Sequence, residues 1–348
     1  VHKHGIEFNY LLNASCMDNK EFIAQSHREM MKFVKEVKQY GADSVTVSSP
    51  ALLKMIKEQF PDLKISAGTY LGINTLDKVK HFEKLGASEI TLDYNFNRNF
   101  ELLGKALKIV NNGTDIRLIA NNVCLHNCPY KIPGHANLLA HSSQSKHESK
   151  GFVIDAYALM CGMQKIKNPA EFLMSEWIRP EDVHYYEELG EKAGNNNLVL
   201  KLTDRARTTD WLVRTVKAYA EKSYDGNLMD IINYIGSKGY AKVHKLPMIM
   251  GGLTGKAGLG LLKLEKATFL PEVYIDNKSL NGFIEYFIKN PCKNKTCYTD
   301  DKSYGECKHC YTLAEKIVKI NPEEQAQAIS KTGEVIDSIA SGRMFGKK

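Results

Sequence analysis

Long apolar runs are missing from this chain. Its 348 residues contain no stretch of roughly 18 uncharged apolar residues, the length a helix needs to cross a bilayer. No basic segment followed by an apolar core opens it. Neither membrane spanning nor secretion is expected, and the expected location is cytoplasmic. Arginine is also scarce: 39 of the 47 basic residues are lysine and 8 are arginine. Arginine is the preferred fork for phosphates and base edges, so its shortage speaks against a dedicated nucleic-acid reader, though nucleic acid stays open as a partner. The net charge of +7 is spread along the chain rather than gathered in blocks. That pattern reads as solvated helix faces with a mild attraction for anionic substrates. Catalytic signatures are missing too. No G-x-G-x-x-G follows the first strand-like run, His147-Glu148 has no second histidine at the zinc-helix offset, and no G-x-S-x-G elbow occurs. These absences count against an open dinucleotide-binding sheet and against hydrolysis by a zinc helix or a serine elbow.

What the chain does have is a strand-then-helix rhythm. Seven short runs rich in β-branched residues read as buried parallel strands: FNYLLNA from Phe8, SVTVSSP from Ser44, KISAGTY from Lys64, EITLDYN from Glu89, DIRLIANN from Asp115, EFLMSEWI from Glu171 and LVLKLTDR from Leu198. Amphipathic helical stretches lie between them, among them EFIAQSHREMMKFVKEVKQY, TLDKVKHFEKL and PEDVHYYEEL. Gly41 and Gly86 each close a helix three residues before a strand and should adopt the left-handed conformation. The alternation predicts an α/β fold, and units of about 20 to 30 residues favour a modified TIM-type (β/α) barrel over an open sheet. The eighth strand has two candidates, KLPMIMGGL from Lys245 and ATFLPEVYI from Ala267. The expected domains are a barrel over residues 1–280, with an insertion at about 129–170, and a cysteine-rich extension over 281–348.

Active sites of such barrels gather at the C-terminal strand ends. Those ends carry Asn13 and Cys16, Ser48 and Ser49, Thr69 and Tyr70, Asp93 to Asn95, Asn121, Asn122 and Cys124, and Lys201, Asp204 and Arg205. Cys16 and Cys124 both follow a strand and should therefore reach the same mouth. Cys128, four residues after Cys124, can fold back as a chelate partner, and Cys161 in the insertion can supply a fourth thiolate. Four thiolates around one point suit a 4Fe-4S cluster and equally a tetrahedral zinc ion. A lone cysteine such as Cys16 or Cys161 also reads as a small buried hydrophobe. In a reducing compartment, spaced cysteines are metal or cluster ligands more often than disulfides.

The C-terminal cysteines form a second group. Cys292, Cys297, Cys307 and Cys310 fall within 19 residues, among Lys, Asn, Asp and Gly that cannot build a core. A metal site is expected there, either zinc or a second 4Fe-4S cluster. TLAEKIVKI from Thr312 reads as a helix that packs back on the barrel, and the final stretch from Asn321 as an amphipathic helix that packs on the core or, as the alternative, makes a homo-oligomer contact.

The stretch RLIANNVCLHNCPYKIPGH (Arg117 to His135), with FNYLLNASCMDNKEF near the start and IRPEDVHYYEELG followed by LKLTDR, resembles peptidase family U32, the collagenase-like peptidases. The resemblance covers roughly the first 215 residues. It implies a barrel-like fold, a 4Fe-4S cluster on four cysteines, and kinship with oxygen-independent hydroxylases of ubiquinone, tRNA and rRNA that use prephenate as oxygen donor. Cys124 and Cys128 match a ligand pair of one branch, Cys16 matches its early cysteine, and Cys161 takes the fourth place. The chain departs from the peptidase-type signature, with no His-Gly-Ala segment before the first cysteine and no Ser-Gly-Arg-Cys.

The resemblance implies an iron–sulfur enzyme, an oxygen-independent hydroxylase or related redox modifier acting on a small molecule or peptide. Alternatives are an RNA-modifying hydroxylase and a non-catalytic, cluster-bearing partner of another protein, with a peptidase last. An anionic co-substrate such as prephenate calls for cations at the mouth; Arg205 is favoured, ahead of Lys201, Arg98 and Arg117. Asn13 and Asn122 complete the polar set. His126, between the paired cysteines, suits a donor to sulfur or an acid or base, and equally a structural hydrogen bond, as does His135.

Overall fold

A short β-branched run becomes a central strand when both of its faces are covered, and the runs in the first half of this chain meet that condition. The computed structural model describes residues 1–131, 136–142, 156–203, 207–234, 270–292, 297 and 307–343. Strands β1 (Asn9–Leu12), β2 (Ser44–Val47), β3 (Lys64–Ala67), β4 (Glu89–Thr91), β5 (Asp115–Ile119) and β6 (Leu198–Lys201) form one sheet. They lie side by side in chain order, and every neighbouring pair is parallel. All four residues of β2 are buried. Its polar side chains are satisfied inside the sheet, where Thr46 Oγ1 donates to Asn9 Oδ1 at 2.7 Å and Asn9 Nδ2 donates to Ser44 Oγ at 2.5 Å.

Helices α1 (Ala24–Gln39), α2 (Pro50–Gln59), α3 (Leu76–Leu85) and α4 (Phe100–Ile109) fill the connections, each packed against the next. The core between them and the sheet includes Val34, Leu53, Ile56, Val79 and Leu103, facing Val45, Ile65 and Ile90, all fully buried. Local chemistry sets the helix ends. Ser49 and Thr75 accept hydrogen bonds from the backbone amides of Leu52 and Lys78, with Pro50 at the first turn of α2. Gly41 and Gly86 have φ of +90° and +109°, the left-handed form expected of them. A Cβ on Gly86 would also sit 2.6 Å from Lys57 Cγ. The parallel α/β class is as expected, and among the described strands the order has no switch point of the doubly wound kind.

The chain divides into two compact units. The first comprises Val1–Ile119, Pro129–Ile154 and His184–Lys201, and the second Ala120–Cys128, Asp155–Val183 and Leu202–Lys348. Within the second, helix α6 (Ala156–Lys167) packs along the C-terminal helix α12 (Pro322–Ala340), with Met163 and Ile166 against Ala328 and Leu159 against Val335. Its aromatic core stacks Trp177 on Phe283, with ring centroids 5.6 Å apart, and Phe283 edge-on to Phe287.

Two expectations need correction. EFLMSEWI is not a strand: Glu171–Met174 is a helix, α7, buried on all sides. A short apolar run buried all round has no periodicity to separate helix from strand. The TLAEKIVKI helix is also shorter than expected. Helix α11 (His309–Ile317) stops at Ile317, and Val318–Ile320 forms strand β8, paired antiparallel with β7 (Val273–Ile275). Of the eighth-strand candidates, ATFLPEVYI thus supplies β7, in a two-stranded sheet of its own, while KLPMIMGGL lies outside the described residues. No helix among the described residues is long and apolar enough to cross a membrane.

A buried ion pair holds the second unit. Arg179 Nε and Nη2 donate to Asp182 Oδ2 and Oδ1 at 3.0 and 2.7 Å, and Nη1 donates to Asn277 O at 2.9 Å. Arg179→Ala would leave a carboxylate buried without its partner. It should cost about 3–5 kcal/mol, read as a lower urea midpoint, whereas Lys at the same position should recover only part of the loss.

Candidate active site

The segment after β5 is irregular and buried, so each of its backbone carbonyls needs a partner. Lys165 Nζ, itself buried on α6, donates to Val123 O at 2.7 Å. Ser175 Oγ, directly after α7, bridges Cys124 O at 2.5 Å and Glu171 O at 2.9 Å. The amide of Ile178 donates to Ala120 O at 2.8 Å. These bonds fix the loop that carries Cys124 and Cys128, and Asn127 turns it back with φ of +51°. Cys161 stands one turn before Lys165 on α6, so it shares the helix face that Lys165 directs toward this loop. His126 Nδ1 lies 3.6 Å from Glu176 Oε1, and both side chains are largely buried.

Three side chains connect to the Cys124 sulfur. Asn122 Nδ2 donates to Cys124 Sγ at 3.6 Å, and Asn122 Oδ1 accepts from Asn233 Nδ2 at 3.2 Å. Asn233 Oδ1 accepts from Arg207 Nη2 and Nε at 2.7 and 3.1 Å. The Arg207 guanidinium lies over the Trp211 ring, 4.9 Å from its centroid. Asn121, fully buried, holds the backbone alongside: its amide donates to Thr203 O and Ile231 O and accepts from Thr203 N, and its carbonyl accepts from Asn233 N at 2.6 Å.

In the first unit, Cys16 follows β1 and its sulfur is 3.5 Å from His141 Nδ1. Asn13, half-buried, directly follows β1, and Lys201 ends β6 opposite Ile119. Lys131 Nζ binds Asp93 Oδ1 at 2.6 Å and lies over the Tyr94 ring at 4.4 Å. Arg117 pairs with Glu89 at 2.7 Å, and burial pushes the Glu89 carboxyl above its ordinary value in spite of that cation. Arg98 is almost fully buried and Arg117 partly so. Arg205 and His135 lie outside the described residues.

The C-terminal thiols share one neighbourhood. Cys297 and Cys307 form a β-bridge, and burial, then Cys292 and Cys307, pushes the Cys297 thiol up to about 12. Tyr286 donates or accepts at Cys307 Sγ across 3.5 Å and stacks on His309 at 3.6 Å between centroids. That bond, burial and the nearby Cys307, Cys292 and Cys310 push the Tyr286 hydroxyl up to about 12. All eight cysteines are thiols. Among the described residues, no group of three or more His, Cys, Asp or Glu side chains is arranged to hold a metal ion. The thiols supply donor chemistry suited to a metal, with hydrogen bonds at the Cys124 and Cys307 sulfurs, and the described residues form no coordination shell.

Residues 1–98, from the N-terminus through β4 and Cys16, match the sequence profile of peptidase family U32. The chain is related to peptidase family U32. It is similar to the uncharacterized protease MJ1657 of Methanocaldococcus jannaschii, 26% identical over 318 residues that cover 91% of this chain and 79% of that protein. A solved structure, the U32 peptidase Mk0906, aligns over 58% of this chain and 72% of its own at 21% identity, with a TM-score of 0.42. The Cys124–Cys128 loop and the C-terminal thiols lie beyond the residues that match the U32 profile.

Sequence reasoning passed over Lys131, Lys165, Ser175, Asn233 and Arg207. Arg207 stands two residues after the favoured Arg205 and is marked by its bonds to Asn233 and its place over Trp211. Ser175→Ala should release the Cys124 carbonyl at a cost of about 1–1.5 kcal/mol. Amide hydrogen exchange across residues 124–128 should then quicken by about tenfold, with exchange in the β2–β5 strands unchanged.

Proposed function

We propose that this U32-related protein is an iron–sulfur redox enzyme whose cluster is held by Cys124, Cys128, Cys161 and Cys16. The observation that carries this reading is the Cys124–Cys128 loop, clamped by Lys165 and Ser175 and given an N–H donor at its first sulfur. Such pre-organisation suits a chelating pair, because the loop loses little further freedom on binding. The chain-ordered parallel sheet supports a modified (β/α) barrel as the frame. Cys16 follows Leu12 by four residues and Cys124 follows Ile119 by five, and both strands run the same way in one sheet. A bound cluster supplies electron transfer, or an open iron if one ligand is absent. In this reading Lys201 and Arg205 provide charge for an anionic co-substrate such as prephenate, Asn13 and Asn122 polar contacts, and His126 a proton donor beside Glu176. The reaction class is oxygen-independent hydroxylation or a related redox change of a small molecule or peptide in the cytoplasm, with RNA as the alternative substrate. Residues 281–348 serve as an extension in which Cys292, Cys297, Cys307 and Cys310 bind zinc or a second cluster.

A second reading rests on the Cys16–His141 contact. A thiol beside an imidazole is the arrangement of a cysteine nucleophile with its base, and a hydrolase of that kind agrees with the peptidase name of the family. A thiolate committed to iron cannot also attack a peptide bond.

Anaerobic purification followed by iron, sulfide and zinc analysis separates these readings. Wild type should carry about four iron and four sulfide at the loop site, lost in Cys124→Ala, while Cys307→Ala should lose only the second metal. Iron-free wild type that cleaves a peptide library, with cleavage abolished in His141→Ala, would replace the redox reading with the hydrolytic one.

A further inference from the structure

We propose that Arg207, Asn233 and Asn122 are positioning residues that draw electron density from the Cys124 sulfur and raise the reduction potential of the metal centre bound there. The inference rests on the iron–sulfur reading and deepens it by naming what tunes the centre.

The direction of the chain follows from donor chemistry. A guanidinium can only donate, so Asn233 must turn its Oδ1 toward Arg207, which makes two bonds to it at 2.7 and 3.1 Å. Asn233 then presents Nδ2 to Asn122, and Asn122 must answer with Oδ1, at 3.2 Å. Its own Nδ2 is left facing Cys124 Sγ at 3.6 Å. Each amide orientation is thus dictated by the cation at the far end, and the assignment of nitrogen and oxygen in both asparagines is settled by Arg207. Three donors point the same way, each polarising the next, in half-buried surroundings.

A purely structural role would not need this chain. The backbone bridge between Asn122 and Asn233 is already made by the Asn233 amide on Asn121 O at 2.6 Å, and Asn121 ties the segment to Thr203 and Ile231. The side-chain amides of Asn122 and Asn233 add a second link to that pairing and extend it from a positive charge to a sulfur. Hydrogen bonds to ligand sulfur are one of the levers that set cluster potentials, because they stabilise the more electron-rich, reduced state.

The test compares wild type, Asn122→Leu and Arg207→Met by redox titration under argon, following the signal that is absent from Cys124→Ala. Both variants should shift the midpoint to lower potential at unchanged iron content and unchanged circular dichroism, Asn122→Leu by more. Arg207 is separated from the sulfur by two side chains, so a shift there is not expected of a merely structural residue. Midpoints equal to wild type in both variants, at full iron content, would overturn the inference and leave the iron–sulfur reading intact. Wild type without iron would instead remove that reading. The chain is then judged with cobalt(II) alone: the thiolate-to-cobalt band absent from Cys124→Ala should move to lower energy in Asn122→Leu, and no band or an unmoved band overturns the proposal.

Discussion

The buried carbonyls of the loop after β5 are the constraint on which the second unit depends. An irregular segment has no ladder to satisfy its backbone, and a buried unpaired carbonyl costs about 1–3 kcal/mol. Lys165 meets that cost at Val123, Ser175 at Cys124, the Ile178 amide at Ala120 and the Asn233 amide at Asn121. Each of these partners belongs to a different part of the chain. Satisfying four carbonyls therefore locates α6, the end of α7, the extended residues after it and the segment around Asn233 around one loop. The cysteine pair inherits its rigidity from this backbone requirement, and the same bonds place Cys161 on the helix face nearest that loop.

Helix α7 extends the consequence toward the C-terminus. It packs against α11, which begins next to Cys307 and contains Cys310. Glu171 opens α7 and Glu176 follows it, and both bear on the Cys297 thiol, while Glu176 also holds His126. A single buried turn thus faces both groups of thiols within the second unit. The stretch that sequence periodicity mistook for a strand is the piece that ties the two groups together.

Much of the first unit was legible because its strands are local facts. SVTV, KISA and DIRLI each carry β-branched residues between a helix end and a polar loop, and each is a strand within a residue or two of where it should start. Gly41 and Gly86 were legible for the same reason, since a C-terminal glycine answers a local need of the helix before it. The site was legible only in part. Cys124, Cys128 and Cys161 announce themselves by type, but Lys165 is 42 residues from Val123, Ser175 51 from Cys124 and Asn233 111 from Asn122. Asparagine and lysine at such distances look like any polar surface residue. Their meaning comes from the carbonyl or amide opposite them, which no spacing reveals. Lys131 was hidden in the same way, 38 residues from the Asp93 that binds it.

Cys16 is where the competing chemistries meet. As a ligand it must give its thiolate to iron, and the nearby His141 then acts as a hydrogen-bond donor to sulfur, in the same sense as Asn122 at Cys124. As a nucleophile it needs His141 to take its proton, and the ring must accept rather than donate at Nδ1. The 3.5 Å contact serves either role, so the distance cannot choose between them; the protonation of the ring does. The two roles also make opposite demands on the surroundings. A nucleophile needs an open face for the scissile bond and an orienting partner for the base, whereas a ligand needs companions of its own kind. Cys124, Cys128 and Cys161 belong to the second unit, so the choice at Cys16 falls to His141: a ring that donates at Nδ1 suits a sulfur ligand, and one that accepts there suits a nucleophile.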